Sequence, residues 1–253
     1  LLWNKFVEKS FNNWTKEDGF VCAVHPSGWR KPESDRSKYK GLFELMTHQN
    51  HMLYLEIHDT KDGVDTFNAG TRYDWYVCEK NTTGSTEVLD ENKETSRLDL
   101  KEFQWLPNHS IAEVASLLGA GGEVIFNVSA YETRKNWTSQ EETEEFKFPL
   151  VHSTPKGGNR FCYSSRNDKG HFGISKVIFG EAGINDVIVD TQGAYGMTQG
   201  AIALPVKDEE DALAAKEFLM SSAFKNILDA CSWSNFRVDW RLFNYFKKGF
   251  WRD

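Results

Sequence analysis

The side chains best suited to chemistry in this chain are amides, hydroxyls and aromatics set in glycine-rich turns, not nucleophiles or metal ligands. Between His171 and Val206, the residues Asn185, Asp186, Gln192, Tyr195, Thr198 and Gln199 fall at connections between apolar bursts. Rigid strands commonly hold binding residues on such turns. Among the histidines, His48 and His51 lie three apart and His58 follows on a strand, but no HExxH motif and no cysteine at zinc-ligand spacing joins them. They read as ordinary polar histidines, with no metal implied. Residue order alone permits a Ser/His/Asp triad, yet there is no G-x-S-x-G nucleophile elbow. Nor is there a G-x-x-x-x-G-K-[ST] loop to cradle phosphates, and no G-x-G-x-x-G follows a strand. Taken alone, the stretch reads first as a β-meander with ordinary turns.

Positioning those groups falls to β-rich elements. Lys176–Phe179, Val187–Val189 and Ala201–Val206 are β-branched bursts separated by Gly180, Gly183, Gly193, Gly196 and Gly200, the pattern of closely connected strands. At the other end of the chain, Leu2, Trp3, Phe6, Val7 and Phe11 recur at intervals of three and four, predicting an amphipathic helix that stops at residues 15–19. Phe20–Val24 is an unbroken apolar run, predicting a strand buried on both faces as in a parallel α/β sheet. His25-Pro26-Ser27-Gly28-Trp29-Arg30 leaves its carboxyl end, the edge at which open α/β sheets bind ligands. A short helix around Leu42–Met46, a strand over Met52–Ile57, a turn at Asp62-Gly63 and a strand over Arg72–Glu79 follow. This succession is half of a doubly wound sheet ending in an antiparallel hairpin.

Residues 81–96 are polar and acidic, an exposed excursion; Leu98–Leu106 reads as extended and Ile111–Leu118 as helical, closed by Gly119-Ala120-Gly121-Gly122. Glu123–Ala130 is one more short strand, and Gln140–Glu145 a solvated tether. From Phe146 a second domain begins, with a strand over Lys147–His152, a turn at Gly157-Gly158 and a return strand over Arg160–Ser164. The glycine-rich β-unit comes next, then a single helical stripe over Glu209–Ala230 with acids at its amino end. The aromatics of Trp233–Trp251 read as core and domain packing.

With 253 residues, the chain forms one large domain or two small ones. Hydrophobic content of 40% and charged content of 26% are those of a soluble globular protein, with no membrane-length apolar run. The opening LLWNKFVEKS has no methionine, basic leader or cleavage site, and reads as the interior of a longer protein. Cys22, Cys78, Cys162 and Cys231 lie far apart with no CxxC pair, which points to free thiols in a reducing cytoplasm. Five N-x-[ST] triplets, including those at Asn81 and Asn136, point the other way only if the chain is secreted. A net charge of -7 argues against a generally basic nucleic-acid coat but leaves room for a local basic groove.

Read in order, LLWNKFVEKSF, GFVCAVHPSGWR and YLEIHDTKDGVDTFNAGTRYDWYVCEK resemble the sequence just downstream of the catalytic Asn-Pro-Pro-Tyr motif of amino-type N6-adenine DNA methyltransferases. The likeness is greatest to those of type IIG restriction-modification enzymes and their phage relatives. In that family a helix, a strand ending in P-x-x-W and a strand pair containing a phenylalanine complete the catalytic sheet. The second half, from FPLVHSTPK to WSNFRVDWRLFNYFKKGFW, resembles the family's target recognition domain. The resemblance implies an α/β plus α+β chain: residues 1–122 the second half of a Rossmann-like methyltransferase sheet, 123–145 a linker, and 146–253 a mainly β target recognition domain with C-terminal helices.

Several roles follow from the resemblance. Phe67 matches the downstream aromatic able to stack on an extruded adenine, although a phenylalanine at a strand start is equally a core residue. Pro26 and Trp29 would line the same pocket. In the second domain Lys156, Arg160, Arg166, Lys169 and Lys176 are suited to phosphates, with Arg237 also within reach of DNA, while Asn185, Gln192, Thr198 and Gln199 are of the types that read base edges. Glycine turns would let backbone approach the DNA closely. The implied partners are double-stranded DNA and the missing N-terminal catalytic half, in the cytoplasm of a bacterial or phage-infected cell. The chain lacks the glycine-rich S-adenosylmethionine motif and any [NDS]-P-P-[YFW]; Asn108 follows Pro107 instead. S-adenosylmethionine is therefore expected of the parent enzyme and not bound by this fragment, which should transfer no methyl group alone. A standalone DNA-recognition module, or a small-ligand-binding α/β protein with an aromatic pocket, are the alternatives.

Overall fold

The structure is a computed structural model that describes residues 2–34, 37–127, 129–233 and 237–252. Its contacts divide it into two units, Leu1–Ala112 with Ala230–Ser234, and Glu113–Asp229 with Asn235–Asp253. Among the described residues no helix is long and apolar enough to cross a membrane.

The first unit opens with helix α1 (Trp3–Lys9), which runs on as a π-helical turn over Ser10–Trp14. Val7 and Phe11, four residues apart, are buried, whereas Leu2 and Phe6 are exposed. Then come β1 (Phe20–Pro26), α2 (Leu42–Thr47), β2 (His51–His58), α3 (Thr60–Phe67), β3 (Tyr73–Glu79), β4 (Thr86–Leu89) and β5 (Thr95–Leu98). The strands form one sheet in the order β1-β3-β2-β4-β5. Since β3 is antiparallel to both its neighbours, β1 and β2 run in the same direction. On one face Val21, Met52, Leu55, Ile57, Tyr76, Cys78 and Val88 pack with Val7, Phe11 and the apolar side of α2. Each such side chain contributes about 1.5–3 kcal/mol by leaving water. The opposite face is barely covered at β1, where Phe20 and Val24 are 58% and 56% exposed.

Four expectations change here. The run Phe20–Val24 is not a strand buried on both faces; β1 lies at the sheet's edge and alternates outward and inward. Asp62-Gly63 is not a turn but the middle of α3, which Asp59 caps by accepting from the Asp62 amide at 2.7 Å. Gly63 is required for a different reason: a Cβ there would stand 2.1 Å from the Thr71 carbonyl oxygen. Residues 81–96 supply β4 and the first half of β5, with Val88 buried against the sheet's core despite its polar neighbours. In place of an extended Leu98–Leu106 there is a short 3-10 turn over Leu100–Glu102.

The second unit begins within α4 (Ile111–Leu117) and continues into two sheets. One is formed by β6 (Thr138–Ser139), β7 (Phe148–Ser153), β8 (Arg160–Ser164) and β11 (Gly196–Met197), in the order β11-β7-β8-β6. The other joins β9 (Lys176–Gly180), β10 (Val187–Asp190) and β12 (Ala201–Pro205) antiparallel, with β9 central. This is the β-unit predicted from its glycine punctuation. Among the described residues of Glu123–Ala130 there is no strand, only a bridge from Ile125 to Ala203, and Val128 lies outside the described residues. The stripe over Glu209–Ala230 is two helices, α5 (Glu209–Met220) and α6 (Ser222–Ala230), parted where Ser221 turns extended and accepts from the Phe224 amide. The last helix is α7 (Leu242–Tyr245). Gly200 serves the chain's own packing: a Cβ there would meet the His152 carbonyl oxygen at 2.4 Å.

Candidate functional site

In the first unit the carboxyl ends of β1 and β2 flank the start of β3, with Pro26 and His58 each opposite Tyr73. Directly opposed residues share a face of the sheet, so these three side chains are neighbours. The His58 ring stacks on Tyr73 at 4.3 Å, and Phe67, at the end of α3, meets Tyr73 edge-on at 4.9 Å. His58 Nδ1 contacts the Asp62 carboxylate, and its Nε2 lies 3.3 Å from Glu56 Oε1. The hydrogen bond with His58 holds the Asp62 carboxyl below its usual range, while burial raises the Tyr73 phenol. Glu56 also accepts from the Trp75 indole at 2.9 Å and the Tyr54 hydroxyl at 3.1 Å. Phe67 is 53% exposed over this rim. The arrangement is an aromatic shelf with a carboxylate–imidazole border, suited to stacking a planar ring and hydrogen-bonding its edge.

Trp29 does not line that shelf. It is fully buried, packs on Phe43 and donates its indole N–H to Asp74 at 2.8 Å. Asp74 is in turn gripped by Arg30, through Nε at 2.8 Å and Nη2 at 3.0 Å, with both partners inaccessible to solvent. Arg30 spends its remaining donors on the carbonyls of Leu106 and Pro107 and on Asn108. The Ser-Gly-Trp-Arg segment therefore tethers β3 to the 106–108 loop. Pro26 remains half-buried beside Tyr73.

In the second unit, Arg160 borders an open cavity of about 540 Å³ with Thr133, Gln140, His152, Phe161 and Cys162. Thr198 bonds His152 Nδ1 at 2.8 Å, and both amide atoms of Gln199 are engaged by Thr133. These two thus brace the cavity wall rather than project from it, Thr198 being buried. Arg166 and Lys169 lie elsewhere, beside Trp137. Lys156 is exposed at the β7–β8 turn, and Asn185 and Gln192 are exposed on the β9–β10 connection and just after β10. Arg237 is exposed and pairs with Glu181 at 3.0 Å. Lys176 departs from expectation: its ammonium is fully buried and paired with Asp190 at 2.6 Å, so it meets no phosphate. The strand's own sequence does not reveal this: all five residues of β9 are buried, and the partner lies fourteen residues on.

Sequence reasoning passed over His152, Phe161, Lys135 and Trp137. Phe161 was legible beside Arg160 on a hairpin strand. Trp137 was masked by the polar, acidic composition of the segment predicted as a linker.

No protein-family model matches this chain, and no curated protein matches it. Among solved structures it is similar to the type IIG restriction endonuclease BpuSI, with 6% identity and a TM-score of 0.33 over 91% of this chain. The match spans 40% of that protein's chain. A likeness of this degree fixes neither fold nor function.

Proposed function

We propose that this chain is the carboxyl-terminal part of a site-specific DNA adenine-N6 methyltransferase, contributing DNA target recognition and part of the adenine pocket. The observation that carries the reading is Phe67. A core phenylalanine would be covered, whereas this one stands exposed on the β2–β3 connection, steadied edge-on by Tyr73. There the sequence resemblance expects the aromatic on which an extruded adenine stacks. The strand order adds support: β3 inserted antiparallel between two strands of like direction suits the closing part of a Rossmann-like sheet. So does β1, whose unpaired edge and exposed Phe20 and Val24 leave room for further strands and cover. On this reading S-adenosylmethionine and the Asn-Pro-Pro-Tyr motif belong to the parent enzyme's other half, and the chain by itself transfers no methyl group.

The test is binding of fluorescently labelled duplexes, followed by anisotropy at low and raised salt. The chain should bind, weaken linearly in log salt, and prefer duplexes with a mispaired adenine, which is easier to extrude. Phe67→Ala should erase that preference, roughly a tenfold effect for one lost stacking platform, and Phe67→Tyr should keep it. Absence of duplex binding at low salt overturns the proposal.

A further inference from the structure

Around Trp137 the second unit brings three cations to one indole ring. Lys135 Nζ, Lys169 Nζ and the Arg166 guanidinium all lie within 5.5–5.6 Å of the centre of this one indole ring. Arg166 has a partner in Asp168, whose carboxyl that hydrogen bond holds down at about 2. A fourth cation, Lys147, sits 5.6 Å from the neighbouring Phe148 ring. Beside Trp137 opens a cavity of about 700 Å³ lined also by Asn136, Phe148, Ser165, Asn167, Asp168 and Glu145. Of the charged groups that line it, Arg166 stands with Glu145 and Asp168, and the additional cations are the lysines beside the two rings.

The ring itself is fixed. Its N–H donates to the Ala130 carbonyl at 3.1 Å, and the Trp137 backbone carbonyl accepts from Ser164 Oγ at 3.0 Å and the Ser165 amide at 3.1 Å. The Lys169 amide is tied to the buried Tyr131 hydroxyl at 2.9 Å. A rigid indole, a second aromatic ring, two exposed amide side chains and flexible lysine ammoniums are the parts from which nucleotide sites are made: stacking for the base, donors and acceptors for its edge, cations for its phosphate.

We propose that the Trp137 cavity is a nucleotide site, taking an unpaired base on the Trp137 ring and its phosphate on Lys135 and Lys169. The site deepens the DNA-binding reading and rests on it for its setting, but is built from residues of its own. It is tested with three probes: a single-stranded oligonucleotide, adenosine monophosphate, and a fully paired duplex, each titrated against the full chain and its Trp137→Ala, Trp137→Phe and Lys135→Ala/Lys169→Ala variants. Trp137→Ala should weaken oligonucleotide binding about tenfold while Trp137→Phe largely restores it, which separates lost stacking from lost folding. The double lysine variant should flatten the salt dependence, by about 0.7 in log–log slope for each phosphate that is no longer neutralised. The same Trp137 dependence with adenosine monophosphate alone would assign the site to a free nucleotide; dependence only with the oligonucleotide assigns it to a strand. Duplex binding with oligonucleotide affinity unchanged by Trp137→Ala overturns this site and leaves the DNA reading intact. Failure on the duplex, with Trp137-dependent oligonucleotide binding retained, overturns the DNA reading and leaves the site.

Discussion

The sheets of the two units are built from similar apolar runs yet bury them differently. In β9 all five residues are buried, including a lysine, and four of the five in β12 are too. In β1 the burial alternates, and on its outward face Phe20, Cys22 and Val24 are all exposed. The difference lies in position: β9 is central, with β10 and β12 on either side, whereas β1 pairs only with β3. Apolar composition therefore reports what a strand can bury, not what its own chain supplies to cover it. Where the two disagree, as at β1, the exposed surface marks a place for something else, and that is why β1 counts toward the proposal of a partial catalytic sheet.

The largest effects are expected where burial is complete. Arg30→Ala should destabilise the first unit by about 3–5 kcal/mol, because it strands the Asp74 carboxylate without a partner in the interior. Arg30→Met/Asp74→Leu removes the stranded charge but leaves the Trp29 indole N–H and the Pro107 carbonyl without these partners, so it should recover only part of that loss; urea denaturation of the two variants measures the gap. If Arg30→Ala is nearly neutral, the pair is not what holds β3 to the 106–108 loop.

The closed second unit carries a pH signature. Burial, and then the nearby Lys176 charge, push the His171 imidazole down to about 4, and the Met197 amide donates to its Nδ1 at 3.2 Å. Above about pH 6.5 the ring is neutral whether folded or unfolded and contributes no pH dependence. Below that, the unfolded chain takes up a proton that the folded chain resists, so stability falls progressively as the pH drops toward 4, by up to about 3 kcal/mol. His171→Asn should remove that part of the slope from the pH dependence of the denaturation midpoint. A slope unaffected by the substitution would mean that His171 titrates normally.

Much of this architecture was legible before the structure. The spacing of glycines around Lys176, Val187 and Ala201 located three strands, since a strand and its turns announce themselves within ten residues. The helix over the first ten residues and the strands β2, β3, β7 and β8 were legible for the same local reason. What was hidden depended on distant partners. Trp29 sits in a segment that leaves a strand's carboxyl edge, and only the arrival of Asp74 from β3 makes it structural. Lys176 has the composition of a phosphate ligand until Asp190, fourteen residues on, takes its charge. Phe67 was ambiguous between core and shelf, because no periodicity within α3 says whether another element covers that end.

The smallest expected effect gives the finest test of the contrast between the two sheets. Phe20→Thr/Val24→Thr keeps β-propensity and removes only apolar surface that faces water, so the stability of the chain should change by no more than about 0.5 kcal/mol. Ile178→Ala in β9, by comparison, should cost about 2–5 kcal/mol from lost burial and the cavity left behind. If the double threonine variant proves costly, the outward face of β1 is covered within this chain and no longer supports a sheet continued elsewhere. If it is neutral in stability while the chain's tendency to self-associate in analytical ultracentrifugation falls, the outward face of β1 is an apolar patch of the kind that marks an interaction surface. That pairing of outcomes would mark the outward face of β1 as the place where another element packs.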